Sequence, residues 1–478
     1  MKTFLTVVLW ASCCSLLVAQ ELTVDCSRPV STLRPLHGLN GGILSSGETV
    51  DLTDYWKEAA IPSTRLHDCE WPAPVVVDIH AIFPDFSKDS TDPASYRFAQ
   101  TDTYLAAIVA NGTDIIYRLG ESIEHSRNKY YVNPPEDPEK WADICLHIIK
   151  HYNEGWADGF HYGIRYWEIW NEPENRPAMW TGVDEQFFEL YRVTAGTLKT
   201  AFPELKIGGP STGWVAARTE NGWEISQYAE DFLQFVKQYD VPLDFFSWHT
   251  YTNQPYEYVE KAFVVREYLD RLGLNGTEIH LNEWNYLPDN DWGPMLATGW
   301  DAGKKREQWY QRVGGAEGAG FLTSVLIELQ NTPVDVGNYY SGDLNGFGLF
   351  SSYGNPQKTF YAMRAFAELL KTPHRLHATG SVPNICSVAA GTDQKRTAVS
   401  VLIGNLHNTN GKLSVTLENF PWSGVTRFEF FRVDDIRELE KITAGEIEIT
   451  DEKVPVEVDF PESSAILLKF FQSGNPPP

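Results

Sequence analysis

Between about residue 35 and residue 330, short β-rich runs alternate with helical ones, and this alternation restricts the possible folds more than any other feature. Eight runs carry the Val, Ile, Phe and Trp enrichment of buried strands: Leu36–Gly41, Ser63–His67, Asp114–Leu119, Arg165–Asn171, Lys206–Gly209, Phe245–Thr250, Glu278–Trp284 and Ser324–Leu329. Most are followed by Gly, Pro, Asn or Asp. Helical stretches lie between them. From Pro138 to Tyr152, a proline in the first turn precedes Trp141, Ile144, Cys145, Ile148 and Ile149 at helical spacing. Asp184–Phe202, Gln227–Tyr239, Tyr256–Leu272 and Lys304–Gly315 read the same way. The pattern predicts an α/β chain built on a (β/α)8 barrel.

After Leu376 the helical period ends. Ile385–Ala390, Thr397–Ile403, Lys412–Leu417, Thr426–Arg432 and Ala465–Phe471 are β-type runs separated by turn-formers. They predict a small accessory β-sandwich. The expected organisation is a catalytic barrel over residues 30–375, a sandwich over 376–472 completed by a strand from 21–29, and a disordered tail at 473–478. Residues 1–19, with Lys2, an apolar run from Phe4 to Val18 and Ala19, read as a secretory signal peptide, too short for a membrane span. A secreted, extracellular or periplasmic protein is expected. Cys13 and Cys14 fall in that leader, leaving Cys26, Cys69, Cys145 and Cys386, which permit two disulfides in any of three connectivities.

Composition narrows the partners. With 39 Lys and Arg against 64 Asp and Glu, the net charge of -25 argues against a nucleic-acid or anionic-membrane partner, since phosphate binding needs a basic face. There is no CxxC and no HExxH, so no metal and no cofactor are expected. The 16 Trp suit both cores and the flat platforms on which sugar rings rest.

In such a barrel, catalytic groups sit at the carboxyl ends of the strands. The fourth run ends Trp170-Asn171-Glu172-Pro173 and the seventh Asn282-Glu283-Trp284-Asn285. Two carboxyls across a barrel mouth are what glycosidic cleavage with retention requires, one protonating the leaving oxygen and one attacking the anomeric carbon. Pro173 fixes the backbone beside Glu172, and the amide of Asn171 is placed to bind the neighbouring sugar hydroxyl, so Glu172 is expected to be the acid/base and Glu283 the nucleophile. Alternation sets Glu168 on the face of Glu172 but deeper, as a partner for Arg65 or Arg118. His249 and Tyr251 share a face of the sixth strand, and Arg65 and His67 a face of the second. Arg65 is the expected partner keeping Glu283 ionised, and His67 a substrate contact. Trp284 is singled out as a sugar contact beside the nucleophile, and Glu121 and Glu328 as weaker candidates for binding hydroxyls.

The ordered set resembles the clan A glycoside hydrolases and, within them, family 39, which includes β-xylosidases and α-L-iduronidases. The resemblance is carried by Arg65-Leu66-His67-Asp68, Trp167 to Pro173, Gly208-Gly209-Pro210, Trp248-His249-Thr250-Tyr251, Asn282 to Asn285, Phe347 to Phe350 and Lys358 to Ala362. It implies a retaining hydrolase with Glu172 as acid/base, Glu283 as nucleophile, and Asn171, His249 and Tyr251 around the sugar. One departure stands out. Where the clan often places a Trp platform after strand eight, Glu328-Leu329-Gln330-Asn331 stands here, so Trp292, Trp300 or Tyr340 is expected to substitute. The leading expectation is a secreted, exo-acting β-xylosidase-type enzyme on plant or microbial oligo- or polysaccharide. The alternatives are an α-L-iduronidase, an arabinose-releasing enzyme or a non-catalytic sugar-binding barrel. The acidic balance weighs against a polyanionic substrate.

Overall fold

The computed structural model describes residues 20–45, 50–69, 75–220 and 222–474. The signal-peptide expectation, at 1–19, and most of the predicted tail lie outside these residues. Eight parallel strands close into a barrel: Gly38–Asn40, Ser63–Leu66, Asp114–Leu119, Tyr166–Ile169, Lys206–Thr212, Phe245–Thr252, Glu278–Tyr286 and Val336–Tyr339, here called strands one to eight. Helices fall between most of them as the periodicity predicts. The helix Pro138–Glu154 begins at Asp137, whose carboxylate accepts the backbone N–H of Lys140 at 2.9 Å, and ends at Gly155 in the left-handed conformation, φ 76°.

Strand eight is a correction. The run Ser324–Leu329 lies in a helix, Ala316–Glu328, apart from Leu329, which opens the 3-10 turn that follows, and the strand is Val336–Tyr339. Apart from Glu317, every residue of that helix is buried, so its sequence is apolar on all sides and lacks the polar face that distinguishes a surface helix from a strand. The true strand is four residues containing Gly337 and Asn338, too short and mixed to show a β pattern. Glu328 accordingly lies away from the barrel mouth, its carboxylate accepting the Ser387 hydroxyl at 2.6 Å.

The second unit is one sheet of nine strands, mixed only where Gln20–Thr32 runs parallel to Gly411–Glu418. Its other neighbour is His374–Thr379, antiparallel. Phe430 from one end of the sheet and Val454 and Phe460 from the other share one apolar cluster with Leu22, Val24 and Leu413. The sheet therefore folds over on itself, giving the expected sandwich as a continuous sheet. Its strands His374–Thr379, Glu438–Ile449 and Val454–Phe460 were not anticipated by the sequence pattern. All four described cysteines are free and buried, so neither of the two permitted disulfides is present among them. No helix among the described residues is long and apolar enough to cross a membrane.

The helix Ala316–Glu328 joins the two units. A Cβ on Gly320 would lie 2.2 Å from the Asn405 carbonyl oxygen, and one on Gly404 2.5 Å from Ser324 Oγ. Helix and sheet backbone therefore touch where glycine alone leaves room.

Candidate active site

Arg65, at the end of strand two, is fully buried and organises the barrel mouth. Its five N–H groups all find acceptors. Nε donates to Glu168 Oε2 at 2.6 Å; Nη1 to Asn40 Oδ1 and Glu283 Oε2, each at 3.2 Å; Nη2 to Asn171 Oδ1 at 2.5 Å and Ser211 Oγ at 2.7 Å. A buried guanidinium is tolerated only when matched in this way, here by two carboxylates and three neutral acceptors.

Local irregularities aim the other groups. Strict alternation would send Asn282 and Glu283 to opposite faces of strand seven, but the pairing with strand six slips there, from Trp248 opposite Leu281 to His249 opposite Glu283. The bulge turns both side chains inward. Asn282 Nδ2 reaches Glu168 and, at 3.0 Å, Ser211 Oγ. Strand five slips similarly at Ser211, which has a φ of 60°. Glu172 sits just beyond strand four at φ 43°, and its N–H donates to the Ser211 carbonyl at 3.0 Å.

Glu172 Oε1 is 2.8 Å from His249 Nδ1, and Glu172 Oε2 accepts Asn175 Nδ2 at 2.9 Å. His249 Nε2 is 2.6 Å from Ser211 Oγ. Ser211 Oγ already accepts from Arg65 and Asn282, and of the two acceptors for its own proton, Asn171 Oδ1 at 3.2 Å and Nε2 at 2.6 Å, Nε2 is the nearer and takes it. The other ring nitrogen then carries the hydrogen and donates it to Glu172. Burial supports a neutral ring by lowering the His249 pKa to about 4, against the pull of Glu283. On the opposite wall, Tyr251 donates to Glu283 Oε1 at 2.7 Å. The ligand atoms of Glu172, His249 and Glu283 all lie within 4.8 Å of one another.

Burial raises both carboxyls above their ordinary range. The charge on Glu172 pushes Glu283 the same way, whereas His249, Arg65 and the Tyr251 hydroxyl oppose it. Glu283 alone receives both a guanidinium and a phenol directly, so of the two it is the one held as a carboxylate.

A cleft of about 310 Å³ opens over these groups, lined in part by His67, Asn171, Glu172, Glu283, Tyr340 and Phe347. His67 lies 3.4 Å from Asp68, and burial holds its pKa well below the ordinary value. Six of the residues expected from sequence, Arg65, Asn171, Glu172, His249, Tyr251 and Glu283, thus meet in one hydrogen-bonded network, with His67 on its wall. Trp284 is a correction. It is fully buried and packs edge-on against Tyr258 and Tyr339 behind the strand, because beyond the bulge alternation turns the residue after Glu283 outward. Of the proposed platforms, Tyr340 lines the cleft and Trp292 supports Tyr251 from 5.2 Å, while Trp300 is 99% exposed and does not line it. Glu121 also lies elsewhere, paired with His80.

Sequence reasoning passed over Asn40, Ser211 and Glu174. Glu174 Oε1 accepts the N–H of Gly213 at 2.6 Å and of Trp214 at 3.3 Å. This pins a loop so close to Glu172 that a Cβ on Gly213 would lie 2.6 Å from Oε1. Burial and the nearby Glu172 push the Glu174 carboxyl up to about 7. Only its position two residues beyond Glu172 signalled it.

Two clusters among the described residues have metal-ligand spacing: Glu172, His249 and Glu283, and Asp78, His80 and Glu121. In each, an arginine already bonds a carboxylate, Arg65 on Glu283 and Arg118 on Asp78, and a fixed cation there opposes a second positive charge.

Among solved structures, a glucosidase from Croceicoccus marinus superposes with a TM-score of 0.79 at 24% identity, covering 96% of this chain and 99% of that one. A monomeric β-xylosidase from Caulobacter crescentus CB15 gives 0.71 at 17%, covering 95% and 100%. These establish the shared fold. Among characterised sequences, a β-xylosidase from Geobacillus stearothermophilus is 28% identical over 271 residues, 50% of this chain and 48% of the relative. One from Caldicellulosiruptor saccharolyticus is 22% identical over 327 residues, 64% and 59%. The chain thus spans about half the length of these relatives. The profile for glycosyl hydrolases family 39 matches residues 76–372, well over half the chain and most of the barrel. With that match and the paired carboxylates at the mouth, the chain belongs to glycosyl hydrolases family 39.

Proposed function

We propose that this glycoside hydrolase retains anomeric configuration and acts as an exo-acting β-xylosidase-type enzyme on neutral plant or microbial glycans. The observation that carries the mechanism is the separation of its carboxylates. Oxygens of Glu172 and Glu283 lie within 4.8 Å of each other. That close approach is on the scale of retaining pairs, roughly 5–5.5 Å apart, and favours them over inverting pairs, which stand about 6.5–9.5 Å apart to hold a water.

In this reading Glu283 attacks the anomeric carbon while Glu172 gives its proton to the departing glycosidic oxygen, leaving an ester between Glu283 and the sugar. Glu172, now ionised, takes a proton from water; the hydroxide attacks the same carbon and the ester bond to Glu283 breaks. Arg65 and Tyr251 keep Glu283 charged and oriented, and the Asn171 side chain, its Oδ1 held by Arg65, presents Nδ2 to a sugar hydroxyl.

The neutral sugar is supported by the lining of the cleft, which among the described residues contains no Lys or Arg to clamp a uronic acid. The name of the characterised relatives, β-xylosidase, agrees with this reading. Export rests on residues 1–19. The test is Glu283→Ala assayed on a panel of nitrophenyl xylosides, arabinosides and glucosides. Turnover should fall by at least about 10⁴-fold, an effect on the scale of losing an essential catalytic group. Azide should restore it with an inverted glycosyl azide as product, the wild-type product keeping its configuration. Full activity of the variant, or an inverted wild-type product, overturns the proposal.

A further inference from the structure

A second hollow, of about 490 Å³, opens beside strand three, outside the catalytic mouth. We propose that it is a carbohydrate-binding site separate from the catalytic cleft, taking a neutral sugar residue of a longer glycan.

Its construction carries the proposal. Tyr131 lies flat on the His80 imidazole, with ring centroids 3.6 Å apart and planes 9° apart, yet half of Tyr131 remains exposed. One face of the phenol ring is backed and fixed while solvent still reaches the side chain. Tyr130 beside it is 64% exposed. Exposed aromatics are ordinary singly, but two adjacent ones on the rim of a hollow floored by Phe83 and Trp141 form an amphipathic platform suited to a pyranose ring. The loop is held in place, because Glu124 accepts the backbone N–H groups of Tyr130 and Tyr131 at 2.9 and 3.1 Å.

Polar groups fix the ligand class. His80 donates its backbone N–H to Glu121 Oε1 at 3.1 Å and pairs Nδ1 with Glu121 Oε2, which leaves Nε2 as the ring's remaining hydrogen-bonding atom. Two carboxylates, Glu121 and Glu136, line the hollow, and among the described residues no Lys or Arg does. The cations nearby are His80, already paired with Glu121, and Lys140, whose Nζ lies 5.4 Å from the Phe86 ring, so a phosphate, sulfate or uronate faces the two carboxylates with little to offset them, whereas sugar hydroxyls can donate to them.

The hollow and the catalytic cleft are lined by different residues of the segment that follows strand three. Glu121 faces the former, and Ile123 and His125 the latter. Between them Ser122 is fastened by Asp78, which accepts its N–H at 2.8 Å and its hydroxyl at 2.9 Å. Asp78 is itself held by Arg118 at 2.6 Å. A glycan seated here is therefore anchored without entering the reaction, and the proposal stands whether or not the catalytic assignment does.

The test is electrophoresis of the full chain through native gels containing arabinoxylan, glucomannan or β-glucan, with polygalacturonate as the anionic control. At least one neutral gel should retard the wild type. Tyr131→Ala should weaken that retardation by roughly fivefold, the scale of one aromatic contact. Ser87→Trp, which fills the hollow from its rim and leaves the platform in place, should do the same if Tyr131→Ala fails to fold. Both variants should hydrolyse aryl glycosides as the wild type does. The proposal is overturned if no neutral gel retards the protein, if retardation persists in whichever variant folds, or if polygalacturonate retards it most.

Discussion

Arg65 shows how much a single side chain decides here. It connects the deep Glu168 to Glu283 and fixes the amide of Asn171, so its removal acts on stability and on chemistry together. Arg65→Gln leaves two buried carboxylates without their cation, and urea denaturation should show a loss of about 3–5 kcal/mol. The same variant should move the acidic limb of the kcat/KM profile to higher pH. In the proposed mechanism the limb reports Glu283 losing its proton, and without the guanidinium that proton is held more tightly. A limb that stays in place would make Arg65 purely structural. The strand ends made Arg65, Glu172, His249, Tyr251 and Glu283 readable in sequence. Ser211, by contrast, turns inward only through a slipped register, which no alternation rule foresees. Trp284 was misread for the opposite reason: adjacency in sequence to Glu283 suggested nearness to substrate, whereas neighbours on a strand point apart.

At the level of elements, seven of eight barrel strands could be read from β-rich runs, and the eighth was assigned to a helix. The helix Ala316–Glu328 lies between barrel and sheet and is buried on almost every side, so it carries no amphipathic period to reveal it. Its tight seating has a measurable consequence. Gly320→Ala places a Cβ 2.2 Å from the Asn405 carbonyl, against backbone that cannot rotate away. Overpacking of this kind costs about 1–3 kcal/mol. A lower Tm with an unchanged pH profile is expected, since no catalytic group lies on that helix. A Tm equal to wild type would show that helix and sheet are free to separate.

Across the whole molecule, sheet and barrel are packed together and are expected to unfold as one unit. The interface is formed by an apolar helix, by Lys469 bonded to Glu368 at 2.7 Å, and by Arg375 on the Gln330 carbonyl at 3.0 Å. Removing residues 374–478 would bare that helix to water, together with the strand Gln20–Thr32. The truncated chain is therefore expected to be insoluble, while the full chain should unfold in a single calorimetric transition. A soluble, active barrel from that truncation would make the sheet a detachable module. The same topology sets an order of events during synthesis. The strand Gln20–Thr32 leaves the ribosome well before its partners, His374–Thr379 and Gly411–Glu418. At about 5–20 residues per second it waits roughly 20–80 s for the later of them. The barrel strands, each paired with neighbours in sequence apart from the closing pair, can assemble during that interval. The sheet is then a latch whose first strand is made before the barrel and whose other strands follow it, closing over a barrel already formed.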